Sequence, residues 1–290
     1  MFLSRAHRKW PCLRFARRPV AALAASFLAV AGLLVSRGPS AALPHPQTAS
    51  VWFSTTVETP RVSILLYHRF GPVVKDPMTV RTVTFRSQLQ YLKEHACPII
   101  PLRMLVSYLL GQGPAPPPRA VVITADDGHE SVFTEMLPIV REAHIPVTLF
   151  IYPSAISNAS YAMTWNQLAA LRRTGLFDIQ SHTYWHPNFN TERRRLSPPA
   201  SRSFVTMQLV KPRTVLREKL GVDADLLAWP FGIYDDELIA MAHESGYVAG
   251  FTLERRLVTP HERIMALPRF LVSDSASGRA FASMLPQEPR

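Results

Sequence analysis

The sequence predicts an α/β fold, a distorted (β/α) barrel of about seven or eight parallel strands. Short, unbroken apolar runs recur from residue 62 onward, as in parallel strands that are covered on both faces. Segments with helical periodicity separate these runs, and such an alternation builds a parallel sheet. The alternating part spans 230 residues. A typical closed barrel needs about 250 residues, so a closed barrel is favoured over an open, doubly wound sheet.

Eight apolar runs are the predicted strands: residues 62–67, 98–100, 121–124, 147–151, 177–180, 226–229, 248–252 and 270–272. Between them, apolar stripes predict helices over 85–92 and 132–143, and Pro138 is expected to kink the second. Thr164 and Gln167 form a capping-box start for a further helix. Residues 113–118 and 190–203 are expected to be surface loops. Glycines mark four helix ends, at Gly111, Gly175, Gly221 and Gly246.

The first 42 residues have the pattern of an export signal. Six cations precede an 18-residue apolar run at 19–36, and small residues follow at 40–42. The run is long for a signal peptide and just long enough to span a bilayer, so a cleaved signal and a membrane anchor both remain open. Residues 43–60 are a predicted linker, and 61–290 form one domain. We expect this domain in the periplasm or anchored to the outer side of the cytoplasmic membrane.

Charge and cysteine content exclude two further classes. The formal net charge of +11 falls to +4 once the seven cations of residues 1–42 are set aside, which is not a nucleic-acid-binding signature. Cys12 precedes the apolar run, so Cys97 stands alone in the predicted domain and no intrachain disulfide is expected. No pattern indicates an oligomeric state.

Polar residues follow several predicted strands directly. Each pattern by itself is more often a turn, a cap or a surface histidine than a site. In a parallel barrel, however, the carboxyl ends of the strands share the face that carries the active site. The candidates are Asp126 and Asp127 after strand 121–124, His182 and His186 after strand 177–180, His68 after strand 62–67, and the turn at 229–232.

These residue types suit metal-assisted hydrolysis. One carboxylate and two imidazoles form a three-ligand set for Zn²⁺ or a similar divalent ion, with positions left for water and substrate. Side chains alternate along an extended segment, so Asp126 and Asp127 need not point at the same atom. One carboxylate can therefore be a ligand while the other serves as a base.

Three segments resemble the motifs of the polysaccharide deacetylase family, the NodB-homology carbohydrate esterases of family 4. Residues 124–128 (TADDG) are similar to its T-F-D-D-G motif, residues 181–186 (SHTYWH) match S-H-[ST]-x-x-H, and residues 229–232 (WPFG) resemble R-P-P-Y-G. The resemblance covers about residues 62–285. It implies that a metal is bound by Asp127, His182 and His186. It also implies that Asp126 is the base and that the Phe231 N–H holds the oxyanion.

The chain departs from the family pattern in two places. The family's general acid is a histidine after a late strand, whereas here His243 lies in a helical pattern and His261 in a loop. His68 is the candidate acid instead, and its position resembles the circularly permuted branch that deacetylates poly-β-1,6-N-acetylglucosamine. The family's motif-three arginine corresponds to Ala228, so Arg269 is the candidate to orient the base.

The resemblance implies a metal-dependent N-deacetylase whose partner is an acetylated polysaccharide, first of all poly-β-1,6-N-acetylglucosamine. The alternatives are a peptidoglycan or chitin-oligosaccharide deacetylase, or a non-catalytic carbohydrate-binding protein on the same fold. The complete set of two aspartates and two histidines argues against the non-catalytic alternative. Three arginines at 193–195 either border the substrate groove or lie in a solvated loop, and the solvated loop is the favoured interpretation.

Overall fold

The structure is a computed structural model, and it describes residues 59–287. The predicted export segment at 1–42 and most of the predicted linker lie outside these residues, so both stay predictions. Within the described part, no helix combines the length and the apolarity that crossing a membrane requires.

Strands and helices alternate along the described chain. The strands are β1 (Ser63–Tyr67), β2 (Arg69–Gly71), β3 (Thr79–Arg81), β4 (Val121–Asp127), β5 (Val147–Ile151), β6 (Phe177–Ser181), β7 (Leu226–Ala228), β8 (Ala249–Phe251) and β9 (Phe270–Leu271). The α-helices are α1 (Thr82–Glu94), α2 (Leu102–Leu109), α3 (Leu137–Ala143), α4 (Trp165–Arg173), α5 (Phe189–Arg193), α6 (Pro198–Leu220), α7 (Asp236–Glu244) and α8 (Gly278–Ala282).

Seven of these strands form one parallel sheet in the order β8-β7-β6-β5-β4-β1-β9. Strand β1 lies between β4 and β9, with Leu65 opposite Ile123 on one side and Phe270 on the other. The sheet curls into a half-barrel with helices around it, which confirms the predicted distorted (β/α) barrel. Its curvature brings the carboxyl ends of the strands towards one another.

Both faces of the sheet are buried, which explains the unbroken apolar runs. Leu65 and Ile123 pack in an apolar cluster on one face, whereas their neighbours Ile64 and Val122 pack in a second cluster. Successive residues of a strand point to opposite faces, so a strand covered on both sides needs apolar residues throughout.

Two predictions about secondary structure were wrong. Residues 98–100 do not form a strand, because only Ile99 makes a β-bridge, to Val121. The flanking Pro98 and Pro101 have no N–H to extend a ladder. Residues 190–203 are not one loop, because 190–193 lie in α5, 198–203 lie in α6 and only 194–197 connect them. The prolines at 198 and 199 occupy the first helical positions, where proline is tolerated. The short parallel pair β2–β3 was not predicted.

Local helix signals were read correctly elsewhere. Thr164 and Gln167 form the predicted capping box at the start of α4. Gly221 ends α6 with φ of +63°, in the left-handed region where glycine meets no steric penalty. The irregularity expected at Pro138 takes the form of a π-helical turn, Val132–Met136, directly before α3.

Candidate active site

The candidate residues converge at the carboxyl end of the sheet. Asp126 and Asp127 are the last two residues of β4, which extends further than predicted. His182 follows β6, and its N–H donates to the Ile151 carbonyl of β5 at 2.8 Å. His68 follows β1 in the same way. These side chains therefore lie at one face of the sheet, as the positions of the strand ends in the sequence predict.

Asp127, His182 and His186 form a cluster that can hold a metal ion. One ligand atom from each lies within 4.8 Å of the other two. His182 Nε2 and His186 Nε2 are 3.7 and 3.9 Å from the same carboxylate oxygen, Asp127 Oδ1. His182 Nδ1–H donates to the Ala228 carbonyl at 2.8 Å, which leaves Nε2 as the free lone pair. A carboxylate with two such imidazoles is a donor set that suits a divalent cation.

Burial determines the charge state of this cluster. It lowers the pKa of His182 to about 3 and lowers the pKa of His186 as well, because the charged imidazolium is poorly solvated there. Burial also raises the pKa of Asp127, although the neighbouring His68 acts in the opposite direction. Both imidazoles are therefore neutral at neutral pH, which is the form that binds metal ions.

Asp126 has a different environment from its neighbour. Its two carboxylate oxygens accept hydrogen bonds from Arg269 Nη1 and Nη2, at 2.9 and 2.8 Å, and both side chains are shielded from solvent. Arg269 is itself held by its Nε–H, which donates to the Thr252 carbonyl at 3.1 Å. Burial alone would raise the pKa of Asp126, but Arg269 and His182 outweigh it and the pKa lies below the usual range. Asp126 thus remains a carboxylate, with His182 Nε2 only 3.6 Å from its Oδ2.

Four non-glycine residues of this face adopt left-handed backbone conformations. Asp127, Thr183, His186 and Phe231 have φ of +73°, +64°, +63° and +57°. Such conformations cost energy for residues with a Cβ, and they persist only where the surrounding structure imposes them. Two of the four are residues of the candidate metal cluster.

His68 lies close enough to Asp126 and Asp127 to interact with their charges. Its Nδ1 is buried and has no hydrogen-bond partner among the described residues. Burial lowers the pKa of His68, and the charges of Asp126 and Asp127 oppose that shift. The two later histidines lie elsewhere, since His243 is in the last turn of α7 and His261 is in a turn.

Phe231 lies in a tight turn at the end of β7. The turn is closed by Gly232 N–H, which donates to the Trp229 carbonyl at 2.9 Å, and by Ile233 N–H, which donates to the Pro230 carbonyl at 3.0 Å. Neither bond uses the Phe231 N–H. The Phe231 ring is 55% exposed, and its centroid is 4.6 Å from that of His186. The residue is therefore at the edge of the metal cluster.

The chain is similar in sequence to known deacetylases. A family model described as polysaccharide deacetylase matches residues 113–250, a segment that includes both aspartates, both histidines of the cluster and Phe231. The poly-beta-1,6-N-acetyl-D-glucosamine N-deacetylase of Staphylococcus epidermidis is 28% identical over 196 residues, which is 66% of this chain and 67% of that protein. The corresponding Staphylococcus aureus protein (strain MRSA252) is 27% identical over the same length.

Over residues 113–250 this chain matches the polysaccharide deacetylase family. Like the deacetylases it matches, it is a hydrolase that acts on carbon–nitrogen bonds. Solved structures agree on the fold. The Streptococcus pyogenes deacetylase PplD, in complex with acetate, aligns over 80% of this chain and 100% of its own, with a TM-score of 0.69 and 19% identity. IcaB from Ammonifex degensii aligns over 78% of this chain and 97% of its own, with a TM-score of 0.69 and 23% identity.

Two residues of this deacetylase's site were missed from the sequence. The ring of Tyr152, at the end of β5, lies 5.4 Å from that of His186, and its hydroxyl bonds that of Tyr161. Tyr152 directly follows a buried strand, the same sequence signal that marks His68 and His182. Gln208 lies in the middle of α6, and its Oε1 accepts from the N–H groups of Tyr184 and Trp185. No local signal marks Gln208, because its contacts cross more than 20 residues.

The three arginines at 193–195 contact other parts of the deacetylase surface. Arg193 bonds Asp235 at the start of α7, while Arg194 and Arg195 reach Thr191 and Glu192. Thr191 and Glu192 lie within α5, and Asp235 is the N-cap of α7. The contacts support the interpretation of a solvated surface over that of a substrate-groove border.

Proposed function

We propose that this deacetylase is a metal-dependent enzyme that removes N-acetyl groups from poly-β-1,6-N-acetylglucosamine outside the cytoplasm. One observation carries the catalytic part of the proposal. The Asp126 carboxylate, which Arg269 holds in its ionised form, lies directly beside the Asp127–His182–His186 cluster. The substrate part rests on the staphylococcal relatives, which are named for that polymer.

The metal would be held by Asp127 Oδ1, His182 Nε2 and His186 Nε2. A divalent cation in that position polarises the acetyl carbonyl and lowers the pKa of water, and Zn²⁺ is the ion that this donor set suits best. The hydrogen bond from His182 Nδ1–H to the Ala228 carbonyl orients the imidazole and makes Nε2 the better donor.

Asp126 would take the proton from the attacking water. Its pKa lies below the usual range, so it is ionised and ready to accept a proton at neutral pH. Arg269 fixes both oxygens, so the base cannot rotate away from the attacking water or become a metal ligand itself. The family's motif-three arginine is absent here, and Arg269 supplies the same chemical group from another strand.

Breaking the amide bond also needs an oxyanion contact and an acid. The Phe231 N–H, which takes no part in closing its turn, would donate to the oxyanion of the tetrahedral intermediate. His68 would then protonate the leaving amine, because an amide nitrogen leaves poorly without a proton. Burial lowers the pKa of His68, while the charges of Asp126 and Asp127 oppose that shift and favour the protonated form that an acid needs. The products are acetate and a free amine on the sugar.

The surroundings of the cluster suit a sugar polymer. Phe231, Trp185 and Tyr161 are 55%, 48% and 38% exposed, in the loops after β7, β6 and β5. The Phe231 ring contacts that of His186, and the Tyr161 hydroxyl bonds that of Tyr152, whose ring is 5.4 Å from that of His186. Large aromatic rings bury much area at little entropic cost and are suited to the apolar faces of pyranose rings. These exposed rings support a polysaccharide substrate over a small amide.

Acetate release from a panel of defined glycans tests the proposal. The panel contains β-1,6-linked N-acetylglucosamine oligomers, β-1,4-linked chitin oligomers and peptidoglycan, with an Asp127→Ala variant as the inactive control. We expect release from the β-1,6-linked oligomers, and loss of that release after chelation. Acetate release from only the chitin oligomers or peptidoglycan would contradict the proposed β-1,6-linked substrate. Acetate release that chelation does not affect would contradict the proposed metal dependence.

The location is proposed from the N-terminal export pattern. A reporter fused after residue 60 should be active outside the cytoplasm, and sequencing of the mature N-terminus would show whether the chain is cleaved near residue 42. A reporter that is active only in the cytoplasm would contradict the proposed location without affecting the proposed chemistry.

A further inference from the structure

One short loop, residues 183–185, connects the two histidines of the candidate metal cluster. Thr183, at its start, and His186, directly after it, have φ of +64° and +63°. Residues with a Cβ avoid this region unless outside contacts impose it. Within the loop, the bonds are those from Thr183 N–H to Ser181 Oγ and from His186 N–H to Thr183 Oγ1, each 3.2 Å. The loop therefore depends on another element for its conformation.

Helix α6 supplies such a contact through the side chain of Gln208, in addition to the Ser154 N–H after β5, which donates to the Tyr184 carbonyl at 3.1 Å. Gln208 Oε1 accepts from the Tyr184 N–H at 3.2 Å and from the Trp185 N–H at 3.0 Å. The side chain is fully shielded from solvent. One buried oxygen thus satisfies two consecutive N–H groups between the histidines, and loss of either bond would leave a polar group unpaired away from water.

Helix α6 is itself fixed to strand β6, which His182 directly follows. The Tyr247 hydroxyl bonds Ser181 Oγ, in the last residue of β6, at 2.8 Å and the Leu209 carbonyl at 2.9 Å. Lys211 Nζ lies 3.9 Å from the centre of the Tyr184 ring. Gln208 and the end of β6 are therefore parts of one buried, bonded unit, and the Gln208 oxygen is fixed relative to His182.

We propose that Gln208 is a positioning residue for the metal cluster, one that sets His186 at the correct distance from His182. The proposal rests on the metal site of the proposed function. Gln208 touches neither substrate nor metal ligand side chains, and it acts through the backbone of Tyr184 and Trp185 alone. Outer contacts of this kind tune metal affinity because they determine where the ligands point.

The test is the Co²⁺ affinity of the purified full chain, measured from the visible absorption of the bound ion. Gln208→Met has nearly the same size but no acceptor, and we expect it to weaken Co²⁺ binding about 10–100-fold and to change the absorption spectrum. Gln208→Glu keeps an oxygen that can accept both N–H groups, so it should restore affinity and spectrum to near the wild-type values.

Gln180 offers a matched control on β6. It is equally buried, and its Oε1 accepts from the N–H groups of Asp225 and Leu226 at 3.1 and 3.0 Å, at the beginning of β7. Gln180→Met therefore removes two backbone N–H contacts of the same kind, together with the bond from Gln180 Nε2 to Asp178 Oδ1, and none of these involves the loop between the histidines. We expect it to lower the melting temperature of the metal-free protein but to leave Co²⁺ affinity unchanged.

The outcomes separate the two proposals. A wild-type chain that binds no Co²⁺ or Zn²⁺ would contradict the metal site itself. If the wild type binds Co²⁺ and Gln208→Met binds it equally well, or if Gln180→Met loses as much affinity, the role of Gln208 is overturned. Should Gln208→Met not fold, Gln208→Asn, which keeps the amide but is one methylene shorter, is expected to lose affinity, and unchanged affinity in it overturns the role equally.

Discussion

Arg269 binds both carboxylate oxygens of Asp126 in a solvent-shielded pair, although the two residues are 143 positions apart. Arginine in this geometry provides two parallel hydrogen bonds, which a lysine cannot reproduce. The pair explains how two adjacent aspartates can differ. Asp126 is held as an ion by a fixed cation, while Asp127 faces the two histidines.

Replacing Arg269 by lysine should reduce turnover at least tenfold and move the acid limb of the pH–rate profile. Arg269 holds the pKa of Asp126 below its usual range, so a weaker partner raises that pKa. Asp126 acts as a base only when ionised, so activity should be lost at a higher pH as the solution is acidified. The measurement is kcat/KM for acetate release against pH.

Arg256→Lys is the control for this substitution. Arg256 is half exposed and forms an exposed ion pair with Glu254, a kind that contributes little to stability, and a second pair with the more buried Glu262. Its pH–rate profile should match that of the wild type. Removing the charge altogether, as in Arg269→Met, should destabilise the fold by about 3–5 kcal/mol because Asp126 is left buried and unpaired. An unshifted acid limb in Arg269→Lys would show that Arg269 does not determine the pKa of the base.

Substituting the two aspartates one at a time should separate base from ligand. Asp126→Asn should lower turnover by about 10²–10⁴-fold while leaving the bound metal in place, because Asp126 is engaged by Arg269. Asp127→Asn should lose metal as well as activity. Metal content by elemental analysis, measured beside acetate release, distinguishes the two. Loss of metal from Asp126→Asn would mean that the roles are assigned wrongly.

His68→Ala should lower turnover by about 10²–10⁴-fold if His68 is the general acid. The fold should tolerate the change, since His68 Nδ1 has no hydrogen-bond partner among the described residues. His243→Ala, in the last turn of α7, is the control and should leave turnover unchanged. Near-normal acetate release by His68→Ala from the true polymer would remove His68 from the mechanism.

Phe231→Ala should affect substrate binding more than chemistry. The proposed oxyanion contact uses the backbone N–H, which the substitution keeps, whereas the exposed ring is lost. We expect KM for the polymer to rise about 2–10-fold, the value of an aromatic contact of about 0.5–1.5 kcal/mol, with kcat nearly unchanged. A large fall in kcat with unchanged KM would indicate that the turn itself had been disturbed.

Most of the sheet and the clustering of the candidate ligands could be predicted from the sequence because their signals are local. A strand buried on both faces must be apolar throughout, and the polar residues that end it are visible in the same few positions. Asp126, Asp127, His182 and His186 were found in this way. The segment at 98–100 misled the prediction because it is apolar yet flanked by prolines, and the second helix after His186 was hidden by a Ser-Pro-Pro start that was read as a loop.

The sequence by itself thus determined most strands of the seven-stranded sheet, several helix ends and the residue types offered at one face. Only the tertiary structure decided which of them pair. Arg269 meets Asp126 because β9 lies beside β1, two strands from Asp126 along a curled sheet, and Gln208 meets the His182–His186 loop because α6 is tied to β6 by Tyr247. These contacts are set by how the sheet curls and how helices pack on it, which depend on the whole buried core, so no short stretch of sequence encodes them.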